Sequence, residues 1–199
     1  MITVYDGIIG YLHLDDFWDS LTKTEQAAAA RYYRQALSSS RGSPIVGKIG
    51  MSSQTQLQYL AATLRWAVAD KKWAMAEKII KRGERASGSA VDLHFFEHDA
   101  GECYYRQIPL RPDAIDMAIH YYRRDIGNLS HYASELMTDG IMARIDSFKK
   151  LAMCYEKKGD YAAAIEICER AIKAGQSNDG TKGGMTGRIE KLKAKAAKG

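Results

Sequence analysis

Residues 94–98 read His-Phe-Phe-Glu-His. On a helix, His94 and His98 stand one turn apart on one face with Glu97 beside them, which would supply two imidazole ligands and a general base to a hydrolytic zinc ion. A catalytic zinc needs a third protein ligand. Glu102 shares the stripe but lies about 12 Å along the axis from His94, outside one coordination sphere. The third ligand must come from elsewhere, and nothing singles out Glu135, Glu166 or Glu169 downstream. A pattern with three fixed letters recurs readily by chance. The sequence therefore assigns no catalytic residue, metal ligand or cofactor, and a zinc-dependent hydrolase stands as one alternative. The other reading of the same stretch is a helix with Phe95 and Phe96 partly buried and the histidines facing a groove or solvent.

A second constellation pairs tyrosine with arginine three times, in RYYRQ (31–35), CYYRQ (103–107) and HYYRR (120–124). Exposed, such pairs would stack on bases and contact phosphates, so a single-stranded nucleic-acid binder is the second alternative. The competing expectation is that one tyrosine of each pair packs inward and the other lies at the helix flank, while arginine carries its charge to water. The lysines of KLKAKAAKG at the C-terminus add a weak polyanion signal. Cys103, Cys154 and Cys168 are odd in number and lack C-x-x-C spacing, which suits buried, reduced thiols. There is no Gly-rich phosphate loop and no G-x-S-x-G.

The elements that must position these residues are helical. Twenty-nine Lys and Arg against 24 Asp and Glu leave a net charge of +5, spread along the chain, which permits an acidic partner without requiring one. The first residues lack a basic n-region and no long apolar run occurs, so the expected location is cytoplasmic, with no membrane span. Pro, Gly and Ser collect in a few places, leaving long segments of helical period. Thr22 and Glu25 have the spacing of a capping box ahead of a helix over 25–37. Residues 1–37 read as an N-terminal helical element and 38–53 as a linker. Helices are expected over 54–69, 73–86, 91–107, 112–126, 130–158 with a break at Asp139-Gly140, and 161–174. Residues 176–199 read as a flexible Gly-rich segment and a basic helix or tail.

Short turns, ADKKW, IPLRP and KKGDY, join these helices into antiparallel pairs over 54–175. The last pair, SFKKLAMCYEKKGDYAAAIEICERAIKAG, resembles a tetratricopeptide repeat. Ala152, Ala164 and Ala171 stand at its small positions and Leu151, Tyr155 and Tyr161 at its large ones, with Gly159-Asp160 at the turn. A weaker copy in 57–86 places Trp73 after the turn and Ala76 and Gly83 at small positions. From Ala76 to Ala118 to Ala164 the steps are 42 and 46 residues, longer than the family's repeat of about 34, so the repeats are irregular.

The expected fold is all-α, a stack of antiparallel helical hairpins resembling the tetratricopeptide α-α superhelix. The resemblance implies a protein- or peptide-binding adaptor without catalytic activity, with self-association left open. In that family the first helix of each pair lines the binding face. That implies a partner-facing role for Gln58, Arg65, Lys149 and Met153, and for His94 and His98 in the poorly matching middle pair. The clamp that some members close on chaperone tails uses an Asn where this chain has Met153, so that activity is not implied.

Overall fold

The computed structural model describes residues 4–36 and 42–198, in two compact units, 1–99 and 100–199. It is all-α apart from one small hairpin. The first unit contains α1 (Gly7–Tyr11), α2 (Asp15–Ser20), α3 (Lys23–Ala36), α4 (Gln56–Ala69) and α5 (Trp73–Gly83). The unit boundary falls within α6 (Ala90–Gln107). The second unit continues with α7 (Ala114–Gly127), α8 (Leu129–Tyr132), a 3₁₀ turn, β1 (Met137–Thr138), β2 (Ile141–Met142), α9 (Asp146–Lys157), α10 (Tyr161–Lys173) and α11 (Gly184–Ala196).

In the first unit, α4 and α5 form an antiparallel hairpin. Thr55 starts α4 by accepting from the Gln58 N–H, while the Gln58 side chain accepts from the Thr55 N–H, a complete capping box. α5 buries Met75, Ala76, Ile79, Ile80 and Gly83, spacing that keeps one stripe apolar. Gly83 lies so close to α6 that a Cβ there would run into the Phe96 ring. The small residue that the repeat pattern places at 83 thus has a packing cause. The expected capping box at Thr22 and Glu25 forms at the head of α3, with N···O distances of 2.8 and 3.2 Å.

The N-terminal helices pack on the hairpin, α2 on α5 and α3 on α4. Lys78 of α5 reaches Glu25 at 2.7 Å, and Arg82 reaches Asp16 at 3.1 Å. Residues 38–41 of the expected linker fall outside the described residues. The described part, 42–53, is docked: the Gly7 N–H donates to the Gly47 carbonyl at 2.8 Å and the Ile9 N–H to the Pro44 carbonyl at 2.9 Å. Its Pro and Gly serve local geometry, and Gly7, at φ +65°, has no room for a Cβ beside Pro44.

In the second unit, α9 and α10 make the second well-formed hairpin. Ala152, Ala164, Ala171 and Leu151 are fully buried, as the repeat pattern requires. Between α7 and α9 the expected long helix over 130–158 does not form. Asp139 and Gly140 both have positive φ, 51° and 77°, and their two-residue turn closes the β1–β2 hairpin instead. The Asp-Gly pair that reads as a break is a hairpin signal of higher specificity. The Gly-rich segment is also ordered, which corrects its reading as flexible: α11 begins inside it, at Gly184, and buries Met185 and Leu192 in packing on α10.

Candidate functional site

In the first unit, α4 and the first turns of α6 enclose a shallow cavity of about 150 Å³ lined by Gln58, Ala61, Ala62 and Arg65 on one side and Asp92 and Phe95 on the other. Two alanines on one turn leave the space. Phe95 is 43 % exposed beside it, an aromatic ring with much of its surface in water. The polar rim is held in place: Gln58 Nε2 donates to Asp92 Oδ1 at 2.8 Å and Arg65 Nη2 to Asp99 at 2.9 Å. Asp92 also accepts from the Thr55 hydroxyl and the Ser89 N–H, both at 2.9 Å. Burial is the largest single influence on its carboxyl and raises its pKa. The hydrogen bonds from Ser89, Gln58 and Thr55 together outweigh it and hold the group below the usual aspartate range.

Gln58 and Arg65, for which the resemblance implies a partner-facing role, line the rim of this cavity. His94 does not. It is 6 % exposed, with its ring 4.9 Å from that of Phe95, and Glu97 is fully buried. His94, expected to face a groove or solvent, is instead turned inward by α6; Phe95, expected to be partly buried, takes the outward position, and His98 is half-buried. Among the described residues, no group of three or more His, Cys, Asp and Glu side chains is placed to hold a metal ion.

In the second unit, Lys149 and Met153 lie half-buried on α9. Lys149 Nζ donates to the Asp179 carbonyl at 2.9 Å, so its ammonium is committed to the loop before α11. A larger cavity of about 710 Å³ lies between Glu156 and α11, where Arg188, Lys191 and Lys195 line it. Glu156 is 2.5 Å from Lys195 and 3.8 Å from Arg188.

Most of the tyrosine-arginine residues have structural partners. Tyr32, Tyr104, Tyr121 and Tyr122 are buried, and only Tyr33 and Tyr105 are half-exposed. The division into one inward and one flanking ring holds for the first two pairs, whereas both rings of the third are buried. Tyr32 stacks on Trp66 and Tyr104 on Tyr121, while Tyr105 lies under the Lys150 ammonium at 4.6 Å. No paired tyrosines are left open for bases to stack on. The three cysteines are buried thiols outside any disulfide, and burial pushes the Cys154 thiol up to about 12 and the Cys168 thiol up to about 11.

Residue-by-residue reading missed Asp92 and Phe95. A signal existed for the first: Ser89 and Asp92 are three apart, and each side chain accepts from the other's N–H, a capping box that starts α6 and turns the carboxylate toward α4.

Helical hairpins with a groove beside a first helix define a class of helical-repeat proteins. Residues 147–180 match the tetratricopeptide repeat family, a single repeat, and over them the chain resembles a tetratricopeptide-repeat protein. No curated protein and no solved structure matches it. Among the described residues no helix is long and apolar enough to cross a membrane.

Proposed function

We propose that the protein is a protein- or peptide-binding adaptor, and that the groove between α4 and α6 receives an apolar side chain of an extended partner segment. The observation that carries the reading is the exposed Phe95 ring beside a cavity kept open by Ala61 and Ala62. An aromatic surface left in water next to a pocket of side-chain size gains by being covered. Gln58 and Arg65 at the rim have their polar groups fixed by Asp92 and Asp99, so little side-chain entropy is lost when a ligand docks against them. The tetratricopeptide match over 147–180 supports interaction rather than catalysis as the role.

The test is an array of randomised peptides probed with labelled protein and with two groove variants. Ala62→Arg fills the cavity and Phe95→Ala removes its wall. Both should abolish binding of the selected peptides while the melting temperature stays within a few degrees of the parent. Peptides that bind both variants as well as the parent, or an array with no selected peptides, would sink the proposal.

A further inference from the structure

The packing of α2 on α5 leaves a second cavity, of about 280 Å³, on a different surface of the first unit. From α5 and the turn after it come Lys78, Lys81, Arg82 and Arg85, and from α2 come Asp16, Phe17 and Ser20. The spacing puts three of these cations on one face of α5 and carries the row into the following turn. Four positive charges therefore line a small concave space with one carboxylate among them. Two of the cations are held. Lys78 Nζ contacts the Ser20 carbonyl at 2.9 Å and Glu25 at 2.7 Å. Arg82 donates from Nε to Asp16 at 3.1 Å and from Nη2 to the His13 carbonyl at 3.2 Å, and its remaining nitrogen, Nη1, is buried with no hydrogen-bond partner. His13 supplies that carbonyl from a left-handed conformation, φ 51°, which few residues adopt without a compensating contact.

Lys81 and Arg85 are exposed and face the same cavity without an ion-pair partner among the described residues. Lys78 and Arg82 are each paired with a carboxylate, Glu25 and Asp16, so Lys81 and Arg85 are the charges left to meet an anion. Cations at the end of a helix also counter its dipole, which gives Lys81 and Arg82 a purely structural role as the competing explanation. That role does not require a concave space, a guanidinium anchored from two sides, or Arg85 turned to the same cavity.

We propose that this cavity binds a phosphate-bearing anion. Its volume of about 280 Å³ admits a phosphate or pyrophosphate group. A fixed guanidinium with a flanking ammonium, and two exposed cations beside them, match the oxygens of a dianion better than a single carboxylate. The site lies away from the α4–α6 groove and does not depend on the adaptor reading.

Isothermal titration of the full chain with pyrophosphate, and separately with a phosphoserine peptide of otherwise neutral sequence, tests it. Saturable binding to either ligand, weakened about tenfold or more by Lys81→Gln with Arg85→Gln, is the expected result. Pyrophosphate alone would assign a small solute as the source, and both ligands would assign a phosphorylated chain. Lys193→Gln with Lys198→Gln, at the far end of the sequence, should leave the affinity unchanged. The proposal is overturned if neither ligand binds saturably, or if the control pair weakens binding as much as the cavity pair. It is also overturned if neutralising Lys81 and Arg85 lowers only the melting temperature, as dipole compensation requires.

Discussion

Arg188 donates from both Nε and Nη2 to one oxygen of Asp179, at 3.0 and 2.8 Å, while the other oxygen accepts from the N–H and hydroxyl of Thr181 at 2.9 and 2.5 Å. The Asp179 side chain is fully buried. This one carboxylate orders the Gly-rich loop and ties it to the first turns of α11. Burial is the strongest single influence and raises its pKa, but the hydrogen bonds from Thr181 and Arg188 together hold it below the usual aspartate range.

Asp179→Asn leaves Arg188 a neutral group at 179 and only the more distant Glu156 carboxylate, and should cost about 2–4 kcal/mol at neutral pH. Because the folded-state pKa is depressed, the carboxylate's contribution is complete above the ordinary aspartate pKa of about 3.9 and is lost as pH falls below it. The gap between parent and variant in urea unfolding should therefore narrow on going from neutral pH to about pH 3. A gap that is unchanged across that range would show that Asp179 does not act through its charge.

The two hairpin turns offer a matched pair. α4 and α9 end in the same way, with crossed bonds from Lys72 N–H to the Ala67 carbonyl and from Asp160 N–H to the Tyr155 carbonyl. The residue in the left-handed position is Gly159 in one turn, φ 77°, and Lys71 in the other, φ 56°. A side chain there costs about 1 kcal/mol that glycine does not incur. Lys71→Gly should raise stability by up to about 1 kcal/mol, and Gly159→Ala should lower it by a similar amount. Thermal unfolding of both variants checks the opposite signs together.

Gly83 gives a prediction in which two effects oppose. In a solvated helix, Gly→Ala stabilises by about 1 kcal/mol. At 83 the added methyl meets the buried Phe96 ring, and overpacking should win, for a net loss of about 1–3 kcal/mol. Phe96→Leu should relieve the clash, so the double variant should show a coupling of about 1 kcal/mol or more. A Gly83→Ala protein more stable than its parent would mean that α5 and α6 do not approach as closely as described.

What was legible in the sequence was whatever depends on local spacing. Thr22 and Glu25 announced a cap, and Ala152, Ala164 and Ala171 announced a close helix contact, because both are fixed by residues a few positions apart. Asp139-Gly140 reads as an interruption in the sequence, since two-residue strands carry too little alternation to register. Asp179 was hidden in a stretch whose glycines suggest freedom, and its ordering partner lies in the next helix. The groove was half legible. Gln58 and Arg65 follow from repeat alignment, but the turn of α6 that exposes Phe95 and buries His94 is set by packing on several sides, and an 18-residue helix with apolar residues on more than one face does not declare its orientation.

That orientation decides the last prediction, which concerns His94, Glu97 and His98. A hydrolytic zinc would need both imidazoles turned to an open position for water, with a third protein ligand and ordered partners behind them. His94 and Glu97 are instead buried, the first at 6 % and the second at 0 % exposure. Protein purified without an affinity tag and dialysed against a mild chelator should retain substoichiometric zinc by elemental analysis. His94→Ala should act on packing, lowering stability by about 1–3 kcal/mol with no change in metal content. Stoichiometric zinc that disappears in the His94→Ala protein would reverse this reading, and peptide hydrolysis would then be the first activity to assay.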